Sequence, residues 1–246
     1  MIMKLKDIQH KIGSTDAVYA NHYKGVPIFS AHGIHERIFE SFTQCNLPKV
    51  SSILILGAGA GAFDKRLLDH GYTNITSTEF VPESYMVTGT TFLPFDLNED
   101  FSVLGKFDAI IALEIIEHLE NHFHFIRCVK NCLNEDGVFY LSSPNAESTF
   151  SRAKFFMLGR LHFFSKEELY KTGHINPVFD HILKFNLDQN NLVIEKVFTN
   201  SNVWSQVFKQ TKSLAVKVVY GIFFVLALCM RNRSNNDINL YKIISK

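Results

Sequence analysis

Two carboxylates and an imidazole lie close together between residues 114 and 118. Glu114, Glu117 and His118 have the spacing i, i+3 and i+4, which places three side chains on one face of a helix. Such a set suits a divalent ion, Mg²⁺, Mn²⁺ or Zn²⁺, which would act as a Lewis acid on a bound oxygen and lower its pKa. Without an ion, His118 is the predicted general base, because the unperturbed pKa of histidine lies near neutrality. The alternative is that Glu117 and His118 only order the start of the helix.

A glycine-rich turn precedes this set. Residues 53–61 read Ile-Leu-Ile-Leu-Gly-Ala-Gly-Ala-Gly, with Gly57, Gly59 and Gly61 directly after four apolar residues. A strand that turns sharply into a helix while its backbone passes close to a ligand needs residues without a Cβ atom. The pattern predicts a nucleoside site at this turn, although a tight strand–helix turn without a ligand would also use these glycines.

Two further acids follow predicted strands. Glu79 lies 22 residues after Gly57, a distance at which a carboxylate can hold the hydroxyls of a ribose. Asp96, in Pro-Phe-Asp-Leu-Asn, is placed to accept a hydrogen bond from an adenine amine. A surface glutamate and a turn-forming aspartate are the competing interpretations.

The elements that would position these residues alternate along the chain. Short apolar runs predict strands, and helical patterns lie between most of them. The predicted strands are 52–56, 74–78, 89–92, 107–113, 137–142, 193–199 and 238–244, the last of them on an edge. The predicted helices include 34–42, 61–70, 81–86, 121–133 and 165–172. This rhythm predicts an α/β fold with a doubly wound sheet, in which ligands bind beyond the carboxyl ends of the strands.

Four motifs in order, from residue 50 to 172, resemble the class I S-adenosylmethionine-dependent methyltransferases. They are the glycine turn, the acid at Glu79, Asp96-Leu97-Asn98, and the segment from Phe107 to Glu120 that contains Glu-Ile-Ile-Glu-His-Leu. The last motif is similar to the branch that includes ubiquinone-pathway O-methyltransferases and small-RNA 2′-O-methyltransferases. The resemblance implies a Rossmann-like, mostly parallel seven-stranded sheet and S-adenosylmethionine as cofactor.

The resemblance also implies roles for individual residues. The expected cofactor-binding residues are Gly57, Ala58, Gly59, Gly61, Glu79, Phe80, Asp96, Leu97, Leu113 and Glu114. The RNA enzymes add another histidine to their metal ligands, which His162 resembles, so the expected metal ligands are Glu114, Glu117, His118 and His162, with His118 and Glu117 as catalytic residues. One position departs from the family: Ile55 stands where an acid is common, which leaves open a catalytically silent relative.

Composition narrows the class of protein and partner. The 246 residues are 46% apolar and carry 25 lysines and arginines against 24 acids, so the chain is globular and lacks an overall positive field for nucleic acid. Any polyanion would need a local patch. The four cysteines show no paired spacing, and the first twenty residues show no secretory signal. We therefore expect a cytoplasmic protein, with contact to the inner membrane face also considered.

Both ends of the chain suggest additions to the sheet. Residues 1–46 are predicted to form an N-terminal helical lid over the cofactor, and 47–246 the methyltransferase domain, with an apolar helical insertion at about 203–232. Residues 218–230 contain no charge and are flanked by bases. This segment is a buried core helix, a cover for the acceptor pocket, or a helix that makes peripheral membrane contact through 214–230. It is too short for an easy membrane crossing.

The sequence as a whole predicts an S-adenosylmethionine-dependent O-methyltransferase. Its expected acceptor is a small molecule, a lipid-linked compound or a glycan, and a divalent metal such as Mg²⁺ is considered as a second cofactor. Two alternatives remain. One is methylation of the 2′-hydroxyl at an RNA 3′ end, which the neutral charge balance disfavours. The other is a silent relative that binds the cofactor or a partner.

Overall fold

A seven-stranded sheet lies at the centre of the protein. The computed structural model describes residues 21–199, 204, 213–228 and 234–246. The strands of the sheet are β3 (Ile53–Leu56), β4 (Ile75–Glu79), β5 (Thr91–Pro94), β6 (Phe107–Leu113), β7 (Leu133–Pro144), β8 (Leu192–Thr199) and β9 (Ile238–Ser245). Their order is β5-β4-β3-β6-β7-β9-β8. Strand β9 runs in the opposite direction to the other six strands, which are parallel to one another. The predicted mostly parallel, doubly wound sheet is confirmed.

Helices cover both faces of this sheet. The described helices are α1 (Ile34–Gln44), α2 (Ala62–Asp69), α3 (His122–Cys132), α4 (Thr149–Leu158), α5 (Lys166–Thr172), α6 (Asp180–Gln189) and α7 (Leu214–Leu228). In β3, Leu54 and Leu56 pack with α3 and α6 on one face. Ile53 and Ile55 pack with α1 and α2 on the other. The strand is continuously apolar because successive side chains point to opposite faces and both faces are covered.

Two of the predicted elements are wrong. The last strand, β9, does not lie on an edge but pairs with both β7 and β8. The connection from β7 to β8 skips one strand position, which β9 fills, and β9 buries residues on both of its faces. The helix predicted at 81–86 is only a 3₁₀ turn over Pro82–Ser84, since Tyr85 already adopts an extended backbone there.

The N-terminal segment is part of the same core. Residues 1–20 of the predicted lid lie outside the described residues. The described part forms a small hairpin, β1 (His22–Tyr23) and β2 (Val26–Pro27), followed by α1. The buried side of α1 packs with α2 and β3, so α1 is joined to the sheet, while the loop between β2 and α1 reaches the functional site.

The C-terminal apolar segment forms α7. Of the predicted insertion, residues 203, 205–212 and 229–232 lie outside the described residues. Helix α7 packs against α4 through Phe150, Trp204 and Phe223. No helix within the described ranges is long and apolar enough to span a membrane.

Candidate functional site

A cavity of about 800 Å³ opens beyond the carboxyl ends of β3, β4 and β6. This is the place where open α/β sheets bind ligands, and the volume lies in the upper part of the range for small-molecule sites. All the expected cofactor-binding residues except Gly61 line the cavity. The lining includes Gly57, Ala58, Gly59, Glu79, Phe80, Asp96, Leu97, Leu113 and Glu114.

The glycine turn follows β3 closely and leaves no room for side chains. Gly57 has φ 69°, and a Cβ atom placed on it would lie 2.7 Å from Cδ1 of Ile115. Gly61 has φ 87° and precedes the first residue of α2. Left-handed backbone and close packing both require glycine here. The positive end of the α2 dipole thereby points toward the cavity.

Glu79 holds the glycine turn and the end of β4 together. Its Oε2 accepts a hydrogen bond from the backbone N–H of Gly59 at 2.8 Å. Its Oε1 accepts from the N–H groups of Phe80 at 2.7 Å and Val81 at 3.2 Å. The carboxylate is therefore fixed at the cavity wall by three backbone donors.

Asp96 and Leu97 line the cavity beyond β5. Oδ1 of Asp96 accepts from both the backbone N–H and the side-chain amide of Asn98, each at 3.0 Å. These contacts are those of an Asx turn, as the turn-forming interpretation predicted, and the contact of Asp96 with an adenine stays a prediction. Leu97 is buried and contributes an apolar wall.

Glu114 joins the N-terminal loop to the sheet. It has φ 52°, and its N–H donates to Oγ of Ser142 at 2.9 Å. Its Oε2 accepts from the N–H of Ala31 at 2.6 Å. Burial, together with the charge of Asp237, raises the pKa of Glu114 to about 7.

The prediction that residues 114, 117 and 118 share one helical face is wrong. The left-handed backbone at Glu114 ends β6 in a sharp turn, and only a 3₁₀ turn, Ile116–His118, follows. A 3₁₀ turn has three residues per turn, so i and i+4 do not coincide as they do in an α-helix. Glu114 faces the N-terminal loop, whereas Glu117 and His118 face the segment after α5.

Glu117 is wholly buried, and within the described ranges neither of its carboxyl oxygens has a hydrogen-bond partner. Burial and the neighbouring Glu114 raise its pKa well above the usual value. Its backbone carbonyl accepts from the N–H groups of Ile175 at 3.0 Å and Asn176 at 3.1 Å. These bonds bring a segment almost sixty residues away against the 3₁₀ turn.

His174 lies beside His118 in that segment. Their ring centroids are 4.9 Å apart. Nδ1 of His118 lies 3.1 Å from the carbonyl of Gly173, and Nδ1 of His174 lies 3.0 Å from that of Phe163. A carbonyl only accepts, so each Nδ1 has the proton and each Nε2 has the lone pair. Burial lowers the pKa of His118 to about 4 and lowers that of His174, so both rings are neutral at pH 7.

Glu117, His118 and His174 form a group whose ligand atoms lie within 4.8 Å of one another. A carboxylate and two imidazoles suit a transition metal or Zn²⁺, and a dication would compensate the unpartnered carboxyl of Glu117. Of the expected metal ligands, Glu114 and His162 lie outside this group. His162 packs edge-on to Phe150, with its Nε2 3.8 Å from Asp237.

Several lining residues are not among the individual residues predicted for the site, although Phe29 and Ser30 lie within the predicted lid, residues 1–46. Phe29 and Ser30, from the loop before α1, close one side of the cavity, and Tyr170, Lys171 and His174 close another. A single histidine far along the chain has no local pattern that marks it as a partner of His118. Only the contact between the 3₁₀ turn and residues 173–176 reveals it.

A family model described as a methyltransferase domain matches residues 30–194, which include every residue of the glycine turn and of the Glu117 group. The chain belongs to this methyltransferase family. Its fold is that of S-adenosylmethionine-dependent methyltransferases. No protein of curated function matches its sequence.

Solved structures of other methyltransferases share the fold. One is a SAM-dependent methyltransferase from Archaeoglobus fulgidus, with 16% identity, 86% of this chain and 94% of that chain covered, and a TM-score of 0.58. Another is magnesium protoporphyrin IX methyltransferase from Synechocystis PCC 6803 with bound SAH, with 12% identity, 86% and 82% covered, and a TM-score of 0.58.

A third is phosphoethanolamine N-methyltransferase 2 from Haemonchus contortus in complex with S-adenosyl-L-methionine. It has 10% identity, 99% of this chain and 60% of that chain covered, and a TM-score of 0.60. At these identities the likeness concerns the fold alone, and the differing acceptors in the names do not assign one to this methyltransferase.

Proposed function

We propose that this methyltransferase transfers the methyl group of S-adenosylmethionine to a hydroxyl oxygen of a small-molecule, lipid-linked or glycan acceptor. The observation that supports oxygen as the acceptor is the neutral imidazole of His118 in the cavity that contains the glycine turn. A hydroxyl must lose its proton as it attacks, and a neutral ring with a lone pair on Nε2 can accept that proton.

The cofactor would lie between the glycine turn and Glu79. The glycine turn and the start of α2 would face the methionine and ribose of the cofactor. The fixed carboxylate of Glu79 would accept hydrogen bonds from the ribose hydroxyls. Asp96 and Leu97 would bound the adenine. The bound cofactor supplies an activated methyl group on a sulfonium, a good leaving group, so positioning of the acceptor and removal of its proton are the tasks left to the protein.

His118 would take the proton of the acceptor hydroxyl on Nε2 while the new oxygen–methyl bond forms. Its Nδ1–H bond to the carbonyl of Gly173 fixes the ring. The buried carboxyl of Glu117, whose pKa is raised by burial, belongs to the same group, and a positive charge on the ring would lower that pKa. The loop at Phe29 and Ser30 on one side, and α5 on the other, would exclude water from this end of the cavity.

Glu117, His118 and His174 would hold a divalent metal if one is bound. The fit rests on the wholly buried carboxyl of Glu117 and on the two imidazoles beside it. A metal there would act as a Lewis acid on the acceptor oxygen. A metal held by the same three residues would act in the same way on the 2′-hydroxyl at an RNA 3′ end, which is the second candidate acceptor.

Methyl transfer to defined acceptors tests the proposal. The purified chain, with labelled S-adenosylmethionine, is offered a phenol, a glycan, a lipid-linked sugar, a primary amine and an RNA with a free 3′ end. We expect label on an oxygen of one of the first three, and at least a hundredfold slower transfer by His118→Gln. His124→Gln, on α3 and outside the cavity lining, is the matched control and should be unaffected.

The outcomes separate the alternatives. Label only on the amine would exclude oxygen as the acceptor, and label only on RNA would select the second candidate. Tight cofactor binding with no transfer to any acceptor would identify a silent relative. Loss of activity with a chelator, restored by Mn²⁺ or Mg²⁺ in the wild type but not in His174→Gln, would establish the metal.

A further inference from the structure

Helices α4 and α7 together expose an unusual amount of apolar surface. Eleven of the 21 exposed large hydrophobic side chains in the described part of the chain lie on these two helices. On α4 they are Phe155, Phe156, Met157 and Leu158, and on α7 they are Leu214, Val216, Val218, Val219, Ile222, Phe224 and Val225. We call these eleven residues the α4/α7 surface. Contiguous apolar surface of this kind marks a binding site for a protein or a membrane.

The shape of this surface favours a fluid partner over a folded one. Residues 155–158 are consecutive at the end of α4, so at 100° per residue they point in all directions around the helix. The exposed side chains of α7 likewise lie on several of its sides, and among the side chains described there only Phe223 is buried. A rigid protein face would cover one side of each helix, whereas lipid surrounds whatever inserts into it.

The sequence of α4, of α7 and of the residues that flank them is rich in bases. The chain has nearly equal numbers of acids and bases, yet residues 148–166 and 196–236 contain ten lysines and arginines and no aspartate or glutamate. These two segments include α4 and α7, and the acids Glu167 and Glu168 follow directly after the first segment. Among the ten, Lys217 lies exposed on α7, and Arg160, which follows α4, is 59% exposed and 3.8 Å from Glu167. Apolar side chains bordered by bases are complementary to an anionic bilayer.

We propose that the α4/α7 surface docks this methyltransferase onto an anionic lipid bilayer, with the end of α4 and the outer side of α7 inserted among the lipids. A nucleic acid is the weaker partner, because eight of the eleven side chains are not aromatic and offer no flat surface for base stacking. Helix α5, only seven residues after α4, supplies Tyr170 and Lys171 to the cavity wall. The acceptor end of the cavity therefore lies close along the chain to the docking surface, which suits a lipid-linked acceptor. The link to a lipid-linked acceptor rests on the proposed function, whereas the docking of the α4/α7 surface does not.

Flotation of the full chain with lipid vesicles tests this inference. The probes are vesicles of phosphatidylcholine alone and of phosphatidylcholine with phosphatidylglycerol. We expect the protein to float with the second kind and to be released as salt rises. Phe156→Asp should lower the partitioning of the protein onto the vesicles at least about tenfold, because it replaces an aromatic ring that would insert among the lipids with a charged carboxylate. Lys217→Gln should lower it about fivefold.

Matched variants exclude trivial effects. Val103 is as exposed as Phe156, each at 76%, but lies in the 3₁₀ turn Phe101–Leu104, so Val103→Asp should float like the wild type. Lys184→Gln, on α6, is the control for Lys217→Gln. Calorimetry with S-adenosylmethionine should give the same affinity for all four variants, which shows that they are folded and separates docking from catalysis.

Four results would overturn the inference. The first is an absence of flotation with anionic vesicles, and the second is equal flotation of Phe156→Asp and the wild type. The third is a wild-type dimer in light scattering that Phe156→Asp converts to a monomer, without vesicle binding, which would assign the surface to a second copy of the chain. Binding of single-stranded RNA without vesicle binding would equally refute it. Cofactor binding and methyl transfer that persist in any of these cases would leave the proposed function intact.

Discussion

Replacement of Glu79 by alanine should weaken cofactor binding more than any other single change at the cavity wall. The carboxylate accepts three backbone hydrogen bonds, from Gly59, Phe80 and Val81, and these fix it at the cavity wall, where we propose that it binds the ribose. Hydrogen bonds to a charged group contribute about 1.5–3 kcal/mol each. Loss of the contacts to the ribose hydroxyls should then cost about 2–3 kcal/mol, or roughly 30- to 150-fold in affinity.

Part of that loss would come from the glycine turn rather than from the ligand. Without the carboxylate, the N–H of Gly59 loses its acceptor, so the free energy of unfolding should fall by about 1–2 kcal/mol. Glu79→Gln keeps the shape, but its amide NH₂ group faces a backbone donor, and an intermediate loss is expected. Glu83→Ala is the matched control, because Glu83 is an exposed carboxylate in the adjacent 3₁₀ turn.

Calorimetry with S-adenosylhomocysteine and its 2′-deoxyribose analogue separates the two effects. The wild type should bind the deoxy compound at least tenfold more weakly, whereas Glu79→Ala should hardly distinguish the two ligands, since the partner of the hydroxyl is gone. An alanine variant that binds S-adenosylhomocysteine within about twofold of the wild type would refute the ribose assignment. Equal discrimination by both proteins would show that Glu79 acts only through the turn.

Three further changes test the packing at the cavity and directly behind it. Gly57→Ala should lower the free energy of unfolding by about 2–3 kcal/mol through clash and backbone strain, and Gly105→Ala, with positive φ but open space around it, by about 1 kcal/mol. His35→Leu should remove the part of the acid sensitivity that His35 causes: burial lowers the pKa of His35 to about 4, so its contribution is complete above pH 6.5 and is lost as the pH falls toward 4, by about 2 kcal/mol at pH 5. Tyr85→Phe should cost about 1–3 kcal/mol, because the Tyr85 hydroxyl donates to the buried carboxyl of Asp64 at 2.8 Å.

Urea unfolding measures all three. Equal losses in the free energy of unfolding for the two glycine variants would show that the side chain closest to Gly57 moves aside without destabilising the protein. An unchanged difference between pH 7 and pH 5 for His35→Leu and the wild type would contradict the burial of a neutral imidazole. A Tyr85→Phe variant as stable as the wild type would mean that the Asp64 carboxyl finds another donor.

Local patterns in the sequence predicted most of the sheet and the cofactor end of the cavity. The strand at 107–113 is as predicted, and the bounds of the other six strands shift or extend by up to four residues. The glycine turn and Glu79 meet because the carboxyl ends of neighbouring parallel strands lie at the same edge of a sheet. That consequence follows from order and spacing alone, so no knowledge of distant contacts was needed.

Only the tertiary structure decided the acceptor end. The pairing of β9 between β7 and β8, the left-handed backbone of Glu114 and the approach of His174 to His118 all depend on contacts between segments far apart in the chain. Such contacts have no period or spacing in the sequence, because the loops between the segments can close in many ways at similar entropic cost. The sequence by itself therefore determined a glycine turn, an acid after the second predicted strand, and two carboxylates and an imidazole after the fourth. Packing decided which side chains complete that set and which apolar helices are left facing outward.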